Sequence, residues 1–135
     1  MTRKQFLKKS RKTLQKTSEN LLSLMQIIEK ESNQNINPET AYWKLDILRK
    51  DIESIFFEYE KLNPPFNCDS LHRRIMNLMV KFQEVIVYNQ EYLRLVQKSK
   101  PESRETFRES LTKLEEFRAE FRILNEIVKT NLIKK

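Results

Sequence analysis

The sequence has no glycine and only 4 prolines in 135 residues. Tight β-hairpin turns and phosphate-binding loops depend on glycine, which adopts positive backbone φ angles at little steric cost. The lack of glycine therefore argues against an all-β fold and against a glycine-rich nucleotide-binding loop.

Cysteine and long apolar runs are also scarce. Cys68 is the only cysteine, so no internal disulfide can form, and a reducing cytoplasmic setting is expected. No stretch approaches the roughly 18 consecutive apolar residues that a membrane-spanning helix needs. The basic N-terminus is not followed by the apolar segment of a secretory signal peptide. These features together predict a cytoplasmic protein without a spanning helix.

Apolar residues recur at alternating steps of three and four in four separate stretches. That spacing places them on one face of an α-helix. In the stretch from Leu71 to Val96 a second apolar stripe widens this face, as is typical of a helix that packs against two neighbours. The four predicted helices cover Arg3–Ser32, Pro38–Leu62, Ser70–Gln97 and Glu102–Ile133.

Capping signals support these boundaries. Asn37 followed by Pro38 is a strong helix start, and the pair Pro64-Pro65 cannot continue a helix. Ser99, followed three residues later by Glu102, resembles a capping box for the last helix. Long helices joined by short loops predict an all-α, antiparallel, up-down-up-down four-helix bundle that forms a single domain over residues 1–135.

The positive charge is concentrated at the start of the first helix. The formal net charge is +7, seven bases precede the first acid, and the other 19 of the 26 bases match the 19 acids in number. The apolar face of this helix is thin before Leu21, so residues 1–16 are expected to project from the bundle or to fray. The seven bases are Arg3, Lys4, Lys8, Lys9, Arg11, Lys12 and Lys16.

This basic segment has three interpretations. Its bases would contact nucleic-acid phosphates without reading sequence. Alternatively, the segment would lie on an anionic membrane surface, with Phe6, Leu7 and Leu14 inserted among the lipids. The third interpretation is a solvated helix end without a binding role.

Several large apolar residues fall outside the predicted core faces. Exposed apolar patches often mark interaction sites, so these positions are candidates for a protein interface. The alternative is that loops cover them, or that the second or third helix is more central than the pattern indicates. The candidates are Trp43, Ile47, Phe57, Met76, Val80, Val87, Ile123 and Ile127.

Residues with catalytic or metal-binding chemistry are few. The usual di-iron site of helical bundles needs two histidines, and His72 is the only one. Cys68 and His72 lack the further ligands of a zinc site and the orienting group of a nucleophilic pair. No cofactor, metal or small-molecule substrate is therefore expected. Asn89, on the inner face of the third helix, either pairs with a side chain on another helix or orients a ligand.

The sequence thus predicts a non-enzymatic interaction module that binds a protein partner, or itself as a homo-oligomer, through its off-core apolar stripes. Nucleic-acid association through residues 1–16 is the first alternative. Peripheral binding to a membrane surface through the same residues is the second.

Overall fold

The computed structural model describes residues 1–133, and its main elements are four long helices. A short 3₁₀ turn at Phe66–Cys68 leads into the third helix. No strand occurs in the described residues, so the predicted all-α class is confirmed. The helices are α1 (Arg3–Ser32), α2 (Pro38–Glu60), α3 (Asp69–Gln97) and α4 (Ser103–Ile133).

The helices form a four-helix bundle in which each helix packs against two neighbours. α1 lies beside α2 and α4, and α3 lies beside the same two helices. We call the end that holds the start of α1, the α2–α3 connection and the end of α4 the lower end. The opposite end, which holds the α1–α2 and α3–α4 connections, is the upper end.

The core runs along the bundle axis and is mainly aliphatic, with aromatic rings packed edge to face. Phe82 and Phe117, both fully buried, bring α3 and α4 together with ring centroids 5.2 Å apart and planes at 81°. α3 has ten buried residues against five on α2 and five on α4. The wide apolar face predicted for this helix is therefore used for packing.

The start of α1 is part of the core. Phe6 is 0% exposed and Leu7 is 2% exposed. Thr2 and Gln5 form a capping box, in which each side chain accepts a hydrogen bond from the other residue's backbone N–H. The expectation that residues 1–16 project or fray is therefore wrong. The inner face appears thin in the sequence because small polar residues, Ser10 and Thr17, occupy buried positions between the apolar ones.

Two helices end in a left-handed residue although the chain has no glycine. Gln34 after α1 has φ 56° and Ser99 after α3 has φ 53°. At the end of α3 the Lys100 N–H donates to the Leu95 carbonyl oxygen (2.9 Å), and the end of α1 has the equivalent bond. Ser99 therefore terminates α3 and does not cap α4, and the predicted capping box at this site is wrong.

Polar contacts fix the helices relative to one another. Arg74 of α3 forms an ion pair with Glu120 of α4 (Nη2–Oε1 2.8 Å). Arg94 of α3 donates to the Tyr42 hydroxyl of α2 (2.9 Å) and lies over the same ring, 5.7 Å from its centroid. These contacts tie α3 to both neighbours near opposite ends of the bundle.

Candidate interaction surfaces

A fully paired polar cluster is buried at the lower end. The hydroxyls of Ser10 and Tyr59 share a hydrogen bond (2.7 Å), and His72 Nε2 donates to the Tyr59 carbonyl oxygen (2.9 Å). The His72 ring packs on those of Tyr59 and Phe6, at centroid distances of 4.8 and 5.8 Å. Burial raises the pKa of the Tyr59 phenol well above its ordinary value. We call Ser10, Tyr59 and His72 the lower cluster.

His72, the only histidine and so a candidate for catalytic or metal-binding chemistry, belongs to the lower cluster. His72 is 7% exposed, and the neighbouring Cys68 is buried with its Sγ 3.7 Å from Asn67 Oδ1. Across residues 1–133, no group of three or more His, Cys, Asp or Glu side chains is placed to hold a metal ion. His72 and Cys68 thus join the start of α3 to the core.

A second polar cluster is buried at the upper end and is only partly paired. Asn89 Nδ2 donates to Ser110 Oγ on α4 (3.3 Å), which confirms the predicted pairing of Asn89 with another helix. Glu31 is 5% exposed. Neither its two carboxylate oxygens nor Asn89 Oδ1 has a hydrogen-bond partner among the described residues. We call Glu31, Asn89 and Ser110 the upper cluster.

Burial changes the acidity of Glu31. Removing its carboxylate from water raises the pKa from 4.5 to about 7, and the amide of Asn89, nearby but outside hydrogen-bonding geometry, opposes this with a smaller effect. The negative charge of Glu31 also contributes, after burial, to raising the pKa of Tyr92. The upper cluster is therefore a place where a charge is poorly solvated.

The seven basic candidates do not share one face of α1. Lys9, Lys12 and Lys16 line a groove of about 130 Å³ between α1 and α2. Lys16 Nζ lies 3.9 Å from a carboxylate oxygen of Glu58 in the same groove. Arg3 instead donates to Asn131 Oδ1 of α4 (2.6 Å). The remaining three, exposed and in a separate row along the helix, are Lys4, Lys8 and Arg11.

Six of the eight off-core apolar candidates are exposed. Their exposed fractions are 61% for Trp43, 59% for Ile47, 49% for Phe57, 44% for Val80, 56% for Val87 and 50% for Ile123. The other two, Met76 and Ile127, are partly buried against the core, contrary to expectation. Met76 follows His72 by one turn and so shares its side of α3. Ile127 borders a hollow at the lower end together with Leu7.

The exposed residues of α2 are aligned along its outer side. Trp43, Ile47, Lys50, Ser54 and Phe57 follow one another at alternating steps of four and three. That spacing is the one used by the buried face of the same helix, so α2 has two seams on opposite sides. From Trp43 to Phe57 the outer seam spans fifteen residues, and the fourteen steps between them cover about 21 Å at 1.5 Å per residue. We call these five residues the α2 outer seam.

A groove between α2 and α3 extends this surface. It has a volume of about 310 Å³ and is lined by Phe56, Met79 and Val80 with Glu53 and Gln83. The Phe56 ring contacts Phe57 of the α2 outer seam edge to face, with centroids 5.7 Å apart. The groove and the lower part of the seam therefore form one continuous apolar surface.

Three strongly exposed apolar residues were not among the sequence candidates. Phe66 is 95% exposed, Ile133 at the end of α4 is 73% exposed and Leu22 is 62% exposed. The sequence indicates only that Phe66 lies in a connection, because Pro64-Pro65 end the preceding helix. Leu22 lies next to Leu21 in the apolar part of α1, and periodicity alone does not show which of the two faces the core.

Among the described residues, none of the helices combines the length and the apolar content that a membrane crossing requires. No protein-family model, curated protein or solved structure matches this chain.

Proposed function

We propose that this protein is a non-enzymatic interaction module whose α2 outer seam binds an amphipathic helix of a protein partner. The observation that carries the proposal is the exposure of Trp43 and Ile47, 61% and 59%, one turn apart on a helix that already buries a complete inner seam. Packing within the bundle accounts for the inner seam, but it leaves the outer one without a role.

The residue types of the outer seam suit an interface. Tryptophan is enriched among the residues that dominate binding energy, because it buries a large area at a small cost in side-chain entropy. Fully burying a side chain of the size of Ile47 stabilises a complex by about 1.5–3 kcal/mol, and more than half of that surface is still exposed here. Two such anchors, placed side by side, provide the centre of a small interface.

The four-three spacing indicates the shape of the partner. A helix laid along α2 would place its own apolar residues between Trp43, Ile47 and Phe57, in the manner of a coiled coil. Lys50, at the middle of the seam, has its Nζ 3.6 Å from Asp46. A partner helix with an acidic residue opposite Lys50 would add a second, intermolecular ion pair to this lysine.

The direct test uses the protein as a bait in nuclease-treated extracts of its host. An Ile47→Lys variant places a charge on the seam, and a Leu22→Lys variant places the same charge on an equally exposed leucine of α1. We expect the parent and Leu22→Lys to retain the same partner and Ile47→Lys to lose it. If the seam variant retains every partner that the parent binds, the proposal is wrong.

A fluorescence measurement locates the contact. Trp43 is the only tryptophan, so its emission reports on the seam itself. Adding the purified partner, or raising the protein concentration if the partner is a second copy, should shift the emission to shorter wavelength as the indole leaves water. Binding without any change in Trp43 emission would place the interface elsewhere.

A further inference from the structure

Phe66 lies at the tip of the lower end and has no part in the core. It is 95% exposed, and the two prolines before it restrict the backbone. The Cys68 N–H donates to the Pro65 carbonyl oxygen (2.8 Å), which closes the turn, and the buried Cys68 side chain anchors it. The aromatic ring is thus held outward by a rigid connection, so binding through it would cost little conformational entropy.

The same end carries most of the positive charge. Among the described residues within five positions of where the four helices begin or end, the lower end has seven bases and three acids, whereas the upper end has six bases and five acids. That depth is about 8 Å at 1.5 Å per residue, close to the distance over which physiological salt screens charge. The seven bases are Arg3, Lys4, Lys8, Lys61, Arg73, Arg74 and Lys129; the three acids are Glu58, Glu60 and Asp69.

Contacts place two of these bases, Arg3 and Arg74, near the Phe66 turn. The bond from Arg3 to Asn131 joins the start of α1 to the end of α4. A hollow of about 240 Å³ is lined by both Arg3 and Arg74 together with Asn67, the residue next to Phe66. Arg3 and Arg74, from two helices, therefore lie beside Asn67, the residue that follows Phe66 in the turn.

We propose that the lower end of the bundle docks on an anionic lipid surface, with Phe66 entering the interface between headgroups and acyl chains. An exposed aromatic ring at an end that carries an excess of bases matches a surface that is negatively charged outside and apolar beneath. This mode differs from insertion of Phe6, Leu7 and Leu14, which are at most 2% exposed and are committed to the core.

A lipid surface fits these observations better than a nucleic acid does. Single-stranded nucleic acids bind to rows of stacking aromatic residues along a basic groove. Here one aromatic residue stands alone, and the bases surround an end instead of following a line. The proposal rests on Phe66 and the bases of the lower end and makes no use of Trp43 or Ile47, so it does not depend on the proposed function.

The test is co-sedimentation of the full chain with phosphatidylcholine vesicles that either contain or lack phosphatidylserine. We expect binding only to the vesicles with phosphatidylserine, and weakening of that binding by added salt. Phe66→Ser should weaken it about tenfold, the factor that corresponds to about 1.4 kcal/mol. Leu22→Ser, which removes an exposed apolar side chain of α1 outside the lower end, should leave it unchanged.

A second pair of variants tests whether the bases of the lower end are required for binding. Lys4→Glu/Lys8→Glu reverses two bases at the lower end, and Lys98→Glu/Lys100→Glu reverses two exposed bases at the upper end. We expect at least a tenfold loss for the first and little change for the second, since each base near an anionic surface contributes about 1 kcal/mol. Equal losses from both variants would mean that binding follows net charge alone, and the proposal would fail.

Two further results would overturn the proposal. One is an absence of binding by the parent to the vesicles with phosphatidylserine. The other is binding to duplex DNA or RNA at equal phosphate concentration that competes with the vesicles and is unaffected by Phe66→Ser, which would assign the lower end to nucleic acid. Thermal melting of each variant shows whether the bundle is intact, and Phe66, being exposed, should tolerate substitution.

Discussion

At the lower end of the bundle Ser10, Tyr59 and His72 all have hydrogen-bond partners, whereas at the upper end Glu31 and Asn89 leave three acceptor oxygens unpartnered among the described residues. Both clusters are buried, so the difference lies in pairing and not in exposure. A buried polar group without a partner loses its hydration and gains nothing in return.

The residues with a strained backbone lie at the same end of the bundle as the unpaired polar groups. The two non-glycine residues with positive φ in the described chain, Gln34 and Ser99, both belong to upper-end connections. An L-residue in this conformation costs about 1–2 kcal/mol relative to the right-handed region. The polar groups of the lower end are therefore paired, whereas the upper end has both the unpaired buried acceptors and the strained backbone.

The largest effect is expected from the core of the lower end. Phe6→Ala should reduce the free energy of unfolding by about 3–5 kcal/mol, because it leaves a cavity beside Tyr59 and His72. Leu22→Ala, at an exposed position of the same helix, should change it by less than about 0.5 kcal/mol. Urea denaturation of both variants measures the difference, and a loss below about 1 kcal/mol for Phe6→Ala would mean that the start of α1 is only loosely attached.

A smaller effect is expected from the hydrogen bond of the lower cluster. Tyr59→Phe removes the partner of the buried Ser10 hydroxyl, which should cost about 1–3 kcal/mol. Adding Ser10→Ala removes the orphaned hydroxyl and should recover part of that loss. A double-mutant cycle measures the coupling, and strictly additive effects would show that the 2.7 Å contact contributes nothing.

The smallest effect is expected from the strained turns of the upper end, and there the substitution should increase the stability of the protein. Ser99→Gly should stabilise the protein by about 0.5–1 kcal/mol, because glycine accepts a positive φ without a Cβ clash. Ser54→Gly, the same change inside α2, should destabilise it by about 0.5 kcal/mol through lower helix propensity. Thermal melting compares the two, and a lower melting temperature for Ser99→Gly would contradict the account of strain.

Much of the fold could be predicted from the sequence because its signals are local. The Asn37-Pro38 start and the proline pair Pro64-Pro65 set the limits of α2, and the predicted ends of all four helices lie within two residues of those observed. Ser99 was misassigned because a serine before a helix resembles a cap, and only the three-dimensional path shows that it closes the preceding helix.

The clusters and surfaces could be predicted only in part. Ser10 and Glu31 are polar, so apolar periodicity assigns both to the solvent side, yet each faces a gap between helices. Conversely, Trp43 and Ile47 were correctly placed outside the core because the inner seam of α2 was already complete without them. Exposure at Phe66 depends on how the α2–α3 connection projects, which is a tertiary property.

The most direct test of the contrast between the ends is the pH dependence of stability in the parent and in Glu31→Gln. The folded-state pKa of Glu31, about 7, lies above the ordinary 4.5, so the folded state binds this proton more tightly than the unfolded state does. The contribution of Glu31 is therefore most favourable below about pH 4.5, declines as the pH rises to about 7, and is constant above that. Each pKa unit corresponds to about 1.4 kcal/mol, so the decline is on the order of 3 kcal/mol.

Urea denaturation at intervals from about pH 4 to pH 8 gives the two curves, and their difference isolates the contribution of Glu31. The account predicts that the parent loses stability relative to Glu31→Gln as the pH rises, with most of the change completed by neutral pH. Curves that remain parallel across this range would show that the Glu31 carboxylate is well solvated or paired, and would contradict the contrast between the two ends.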